Sequence, residues 1–464
     1  LSSPAPENSH ASHRDRSIRL AVLTSLVSKL GTIALRLISI PIAIRLLGMD
    51  QFGVYAAITM VVSVIDMMHI GLGPALTREL SKAVAKNDRK REQAIFVTCV
   101  VVSTALTLLA AFAAAWVLFH VPIPTIFGEK FEGLSEVMHR AAWLGLAIIT
   151  IEMVCITFEM GRDGYMETRY TNAWGAAGNV FGALFLVAGI WFFPTIEFLL
   201  IAVNGSIALA KLGNTIHLLV QRPYLLPRFS LFDRTAVLPL LKDGIRFSVT
   251  YIMAAAVEYN LMVFLIGRHA GPEAVGVFQV MITVHFSMAG IIAMFTKPYW
   301  PALMDAFERR DRGWILKSSN RLLLGGIGFS LATGAGLVAL GPLVLPLWVG
   351  ESFLQVKEGF VVDRLALLAF SFYFVAHISR HINQTLVLGL GRLNSVVAVV
   401  VLEGTVVLAL AGLVLVRTLD IALVYFAMTA AISACSGWLF PVLFRCGLRD
   451  QADLEGLAKN LGSP

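Results

Sequence analysis

Residues 45–55 read R-L-L-G-M-D-Q-F-G-V-Y, and residues 268–278 read R-H-A-G-P-E-A-V-G-V-F. Arg45 aligns with Arg268, Gly48 with Gly271, Asp50 with Glu273, Gly53 with Gly276 and Tyr55 with Phe278, at an offset of 223 residues. The same offset carries K-N-D-R (86–89) onto R-R-D-R (309–312), Thr195 and Glu197 onto Thr418 and Asp420, and Arg222 onto Arg445. P-T-I-F-G-E-K-F (124–131) meets P-L-W-V-G-E-S-F (346–353) at an offset of 222. One such match means little, but a near-constant offset over many positions marks an internal duplication.

Each copy is built of apolar runs. They fall at 18–46, 52–76, 94–119, 138–160, 171–193 and 197–221, then at 244–267, 274–300, 319–345, 361–386, 394–416 and 421–444. A membrane-spanning helix needs about 20 mostly apolar residues, whereas a membrane barrel shows alternating segments of about ten. The chain of 464 residues is 57% hydrophobic and 14% charged, with a mean hydropathy of +0.77. Soluble domains carry about 45–50% apolar and about 25% charged residues, so a soluble fold is excluded. The expected fold class is all-α integral membrane: twelve transmembrane helices in two six-helix lobes. An even number of spans per copy makes the repeats parallel, a device that builds transporters. The expected organisation is a disordered cytoplasmic tail (1–17), an N-terminal lobe (18–222), a cytoplasmic linker (223–243), a C-terminal lobe (244–445) and a cytoplasmic tail (446–464). In the linker, S-L-F-D at 230–233 has capping-box spacing. An amphipathic interfacial helix and a plain linker both fit.

The net charge of +7 follows the positive-inside rule and implies no nucleic-acid partner. With both termini cytoplasmic, 26 Lys and Arg fall on the cytoplasmic side and seven outside: Arg45, Lys130, Arg140, Arg268, Lys357, Arg364 and Arg417. The four cysteines (Cys99, Cys155, Cys435, Cys446) lie in or beside apolar runs and read as small buried hydrophobes.

Ionisable residues inside spans are costly and mark function by default. Ser25, Lys29, Thr32, Arg36 and Ser39 are spaced 4, 3, 4 and 3, one stripe of about 21 Å along a helical face. Two cations on it suit an anionic substrate sliding along the helix. In the bland alternative Lys29 snorkels to the cytoplasmic headgroups and Arg36 pairs with an acid. Thr59, Ser63, Asp66 and His69 share a face of the second span; Asp66 is placed to pair with a cation of the first. Glu152 and Glu159 are seven apart in the fourth span, and Asn204 and Lys211 seven apart in the sixth. Glu258 sits one residue from the repeat-equivalent of Arg36. His285 and Glu403 are lone polar residues, read as packed rather than transporting. His377 and His381 have i, i+4 spacing with Arg380 between them, but no third ligand; phosphate or headgroup contact is the better reading than metal. Lys297 reads as a snorkelling anchor.

No G-x-x-x-x-G-K-S/T loop, Ser/His/Asp arrangement or H-E-x-x-H is present, and no outer loop reaches domain size. An enzyme is not expected, nor a cofactor.

The passage I-A-I-R-L-L-G-M-D-Q-F-G-V-Y (42–55), followed by I-D-M-M-H-I-G-L-G-P-A-L-T-R-E-L-S-K (65–82), resembles the polysaccharide-transport (Wzx-like O-antigen flippase) family of the multidrug/oligosaccharidyl-lipid/polysaccharide exporter (MOP) superfamily. The resemblance is strongest over residues 18–95 and recurs weakly in the second half. It implies two six-helix lobes forming a V-shaped central cavity in the bacterial inner membrane. It also implies movement of undecaprenyl-diphosphate-linked oligosaccharide, for O-antigen or exopolysaccharide, from the cytoplasmic to the periplasmic leaflet. Lys29, Arg36 and Lys211 would then meet the diphosphate, and Asp66, Glu152 and Glu258 would balance charge or carry a coupling ion. Membrane lipids and other polysaccharide-assembly proteins are the expected partners. Two alternatives stay open: a proton- or sodium-coupled multidrug or metabolite antiporter of the same fold, and a membrane enzyme or scaffold acting on the same lipid.

Overall fold

The computed structural model describes residues 30–35, 37–67, 72–242, 256–308, 310–350 and 360–460. The side chains of residues 63–67, 256–258 and 451–460, of Pro74, Arg78, Ala85 and Phe229, and of Phe295, Lys297, Pro298, Trp300, Pro301, Ala302, Met304, Asp305 and Glu308 lie outside that description. The described residues are helical, with no strand among them. In hydrocarbon every backbone N–H and C=O must find a partner within its own segment, which a helix supplies.

The first six apolar runs become α1 (Leu30–Leu47), α2 (Met49–Met67), α3 (Leu72–Ala85), α4 (Arg89–His120), the short α5 (Ile123–Phe127), α6 (Ser135–Gly164), α7 (Thr168–Gly189), α8 (Ile196–Leu200) and α9 (Ser206–Gln221). A π-helical turn, Ile201–Gly205, joins α8 to α9. Beyond a helix at 234–242 (α10) come α11 (Met262–Ala270), α12 (Pro272–Glu308), α13 (Arg312–Val349), α14 (Arg364–Gly389), α15 (Leu393–Arg417), α16 (Ile421–Ala434) and α17 (Ser436–Asn460).

Among the described residues nine helical stretches are long and apolar enough to cross a membrane, so the chain is a multi-pass membrane protein. Three of the expected twelve runs are not among the nine. The amino-terminal half of α7 carries Arg169, Asn172 and other polar residues, the run 52–76 is divided between α2 and α3, and the run 244–267 falls partly outside the described residues. The run 421–444 is among the nine, within Ile421–Asp450, although its helix is interrupted at Cys435 (φ −106°, ψ −87°), where the Trp438 indole N–H donates to the Ala434 carbonyl at 2.5 Å.

The duplication is visible in the backbone. Gly48 and Gly271 have φ of 83° and 96°, Asn87 and Arg310 of 53° and 61°, and Gly128 and Gly350 of 102° and 113°. The hydrogen bonds repeat as well: Asp88 N–H to Ala83 O answers Asp311 N–H to Ala306 O, and Gly128 N–H to Pro124 O answers Gly350 N–H to Pro346 O. Asp88 and Asp311 then cap α4 and α13 with their carboxylates.

The described residues form two compact units, divided within 243–255. In the first, α7 and α9 pack backbone to backbone. A methyl at Gly178 would stand 2.7 Å from Ala210 Cβ, and one at Gly182 would stand 2.8 Å from Ala202 O. Residues 223–242 belong to this unit. Leu225, Ala236 and Leu240 are buried against Leu76, Leu80 and Ile95. Gln93 Nε2 donates to Tyr224 O (3.1 Å), and the Asp233 N–H to Thr98 Oγ1 (2.9 Å). The Tyr165 and Tyr224 hydroxyls both donate to Glu92 Oε1 at 2.7 Å. Burial first, and then that carboxylate, push both phenols above their ordinary value. The capping-box reading shifts by one turn: Asp233 rather than Ser230 caps α10, accepting from the Thr235 N–H at 2.9 Å. In the second unit Leu303, Ile315, Phe374, Ile382, Val396 and Phe440 form the core between α12, α13, α14, α15 and α17. The cysteines are free thiols, all buried except the half-buried Cys446.

Two measurements test this architecture. Gly128 (φ 102°, ψ 161°) and Gly350 (φ 113°, ψ 159°) sit where only glycine is comfortable. Gly128→Ala and Gly350→Ala should each cost about 1–3 kcal/mol and lower the apparent thermal midpoint of the purified protein, while Gly133→Ala, whose new methyl meets nothing within 4 Å, should not. The hydrogen bonds from Thr235 hold the Asp233 carboxyl below its ordinary 3.8. A depressed pKa contributes stability above the unfolded value that is lost as pH falls through the folded one. Amide exchange in α10 should therefore accelerate on acidification below about 4, and Asp233→Asn should blunt that response.

Candidate functional site

A polar seam runs through the first unit between α6 and α9. Glu152, Cys155, Glu159 and Arg162 recur at helical spacing on α6; Lys211, Asn214, Thr215 and Gln221 lie on α9. In its deep part Lys211 Nζ donates to Glu152 Oε2 at 2.8 Å, with side chains 19% and 10% exposed. Thr215 Oγ1 donates to the Lys211 carbonyl (3.0 Å), closing a local turn around the base.

Further toward the end of α6, Arg162 has no exposed side-chain surface. Its guanidinium donates to Glu167 Oε2, Gln221 Oε1 and Asn214 O, each at 3.3 Å. Arg222 meets Glu167 through two bonds of 2.9 Å, the bidentate geometry that makes an Arg–carboxylate pair strong. It also lies over the Tyr165 ring, 4.1 Å from its centroid. Three bases (Lys211, Arg162, Arg222) and three acids (Glu152, Glu159, Glu167) thus share the seam.

The second unit holds its own buried pair. Arg380 Nη1 donates to Glu403 Oε1 at 2.5 Å, with side chains 6% and 2% exposed. One helical turn away, the His377 ring packs on His285 with centroids 4.4 Å apart, and His285 also touches Tyr373 and Phe374. His381 shares a hydrogen bond with Thr296 (3.1 Å). His377 and His381 therefore contact different partners, and among the described residues no group of three His, Cys, Asp or Glu could hold a metal ion.

Of the residues singled out in the sequence, the structure brings Lys211 and Glu152 together. Lys29 and Arg36 lie outside the described residues, as do His69 and the side chains of Asp66 and Glu258. At the two described positions of the α1 stripe, Thr32 accepts from Asn179 Nδ2 on α7 (2.8 Å), and Ser39 is buried. The stripe there packs against the unit. Asn204 in the π turn accepts from the Tyr55 hydroxyl at 3.4 Å. Glu403, read as a lone acid, is the partner of Arg380. Glu167 went unnoticed in the sequence although it lies five residues after Arg162 and organises both arginines.

Breaking a buried ion pair leaves one ion uncompensated, at a cost of up to about 3–5 kcal/mol. Glu152→Gln and Lys211→Met should each lower the unfolding midpoint in detergent, and the double variant should lose much less than their sum. Strict additivity would show that the two do not act as a pair.

The sequence profile of the family described as "Polysaccharide biosynthesis protein" matches residues 21–306. No curated protein matches the chain. Among solved structures, an inward-facing multidrug resistance MATE family transporter of the MOP superfamily superposes with a TM-score of 0.71 at 14% identity, over 94% of this chain and 99% of that one. A MOP superfamily transporter from Pyrococcus furiosus gives 0.66 at 15% identity, over 94% and 96%. A Vibrio cholerae MATE transporter gives 0.66 at 14%, over 96% and 99%. At such identities the likeness is one of fold, and the fold is that of transporters rather than enzymes. With more than half of its length matched by one profile, the chain belongs to the polysaccharide biosynthesis protein family, on the fold of the MOP superfamily transporters.

Proposed function

We propose that this protein is a flippase that moves undecaprenyl-diphosphate-linked oligosaccharide, an O-antigen or exopolysaccharide repeat unit, from the cytoplasmic to the periplasmic leaflet by alternating access. The observation that carries this reading is a polysaccharide-biosynthesis profile spanning residues 21–306 on a transporter fold. Local chemistry supports it. Two buried acids of the described spans are paired, Glu152 with Lys211 and Glu403 with Arg380, so these pairs offer a cationic drug no excess negative charge. Lys211 can exchange Glu152 for a substrate phosphate, because a cation already dehydrated by a carboxylate loses little in trading it for another anion. On this reading Lys29, Arg36 and Lys211 serve the diphosphate, and Asp66, Glu152 and Glu258 balance charge or carry the coupling ion. On the same reading the chain lies in the bacterial inner membrane with both termini cytoplasmic, an orientation supported by its 26 cytoplasmic against seven outer cations.

A second reading, a cation-coupled multidrug or metabolite antiporter, is favoured by the length over which the MATE fold is shared. The Pyrococcus furiosus transporter is described as having a binding pocket of reverse polarity that suggests a different function, so the sign of the site's charge is the discriminating property.

Reconstitution into liposomes carrying a short lipid-diphosphate-linked glycan separates the two. The parent should make the sugar accessible from the opposite leaflet faster than empty liposomes, and Lys29→Ala/Arg36→Ala should abolish the gain while still inserting. Transport stopped by neutralising Asp66, Glu152 or Glu258, but not by losing the cations, would favour the antiporter.

A further inference from the structure

The second unit contains a cavity of about 360 Å³ between α12, α13 and α14. Its polar groups collect at one end. Tyr299 and Thr296 come from the last three turns of α12, and Arg321 lies nine residues into α13. From Arg321 the α13 wall continues through Gly325 to Phe329 at i, i+4, i+8, and from Tyr299 the α12 wall continues through Thr296 to Ile291. Each wall thus passes from donors to bare hydrocarbon over about 12 Å of helix. The space beside Gly325 is open, since a methyl there would meet nothing within 4 Å.

The donors are uncommitted. Thr296 is occupied by His381. Among the described residues, however, Arg321 has no ion-pair partner and the Tyr299 hydroxyl has no hydrogen bond. On the orientation proposed above, this end of the cavity lies at the cytoplasmic headgroup level. Basic pockets between transmembrane helices on that side suit anionic headgroups.

We propose that this cavity binds one anionic glycerophospholipid of the cytoplasmic leaflet. Its phosphate sits on the Arg321 guanidinium and the Tyr299 hydroxyl, and an acyl chain lies along Gly325, Phe329 and Ile292. Among the described lining residues Arg321 is the one cation, and its charge complements that of a phosphate. The site is separate from the seam of the first unit. It depends on the transport reading only for sidedness, and binding needs no turnover.

The test is native mass spectrometry of the full-length protein in detergent, titrated with phosphatidylglycerol or with phosphatidylcholine of the same chains. One phosphatidylglycerol should be retained and phosphatidylcholine should not. Arg321→Gln should weaken retention at least about tenfold, as expected for losing a charged hydrogen bond. Gly325→Leu should do the same by filling the trough, with an unchanged unfolding midpoint as its folding control, and Tyr299→Phe should have a smaller effect. Millimolar inorganic phosphate should not displace the lipid. Equal retention of both lipids, or parental affinity in Arg321→Gln and in folded Gly325→Leu, would overturn the proposal. So would displacement by inorganic phosphate, or by undecaprenyl phosphate well below the phosphatidylglycerol concentration; the latter would assign the trough to the transported lipid.

Discussion

The cost of an uncompensated ion in hydrocarbon governs where charge stands in this protein. Water is not there to solvate a carboxylate or an ammonium, so each must carry its counter-ion with it. Glu152 and Lys211 do so between α6 and α9, and Arg380 and Glu403 between α14 and α15. Arg162 extends the rule to the membrane boundary, where one carboxylate, Glu167, serves two guanidinium groups. Each pairing joins helices that the apolar pattern alone would leave free to slide or rotate, because a lipid-facing leucine packs equally well at many registers.

The duplicated scaffold shows what such a constraint preserves. Turn geometry is kept between the halves: Gly48 with Gly271, Asn87 with Arg310, Gly128 with Gly350. The charges are not. The repeat-equivalents of Glu152 and Lys211 are neither acid nor base, and Arg380 and Glu403 have no ionisable counterparts in the first half. Backbone turns answer to chain connectivity, which is the same in both copies, whereas charge answers to what each half must hold.

The helices, their approximate ends and the repeat were legible in the sequence because they depend on local quantities: apolar run length, a capping aspartate before α4 and α13, a glycine after an apolar stretch. The pairs were not. Lys211 and Glu152 are 59 residues apart, and Arg380 and Glu403 are 23 apart. Nothing local says which of several buried acids a base will meet. Glu403 read as solitary because its partner had been grouped with His377 and His381 by spacing along α14, while the contact runs across to α15. The sequence left the linker open between an amphipathic helix and a plain connection, because Leu225, Ala236 and Leu240 are too few to form an apolar run; the structure buries all three in one cluster with residues of α3 and α4.

The π turn at Ile201–Gly205 gives the sixth span a form of slack. A π turn spends one residue more than an α-helical turn on nearly the same rotation, whereas in a regular α-helix each residue advances the face by about 100°. The turn between Leu200 and Ser206 therefore absorbs one residue without turning the faces on either side of it. With one residue fewer there, the helix would close into regular α geometry and still present Lys211 and Asn214 to α6. The same deletion in the regular helix between Ser206 and Lys211 would swing both away by more than a quarter turn, so the tolerance of this span to a change in length depends on where the change falls.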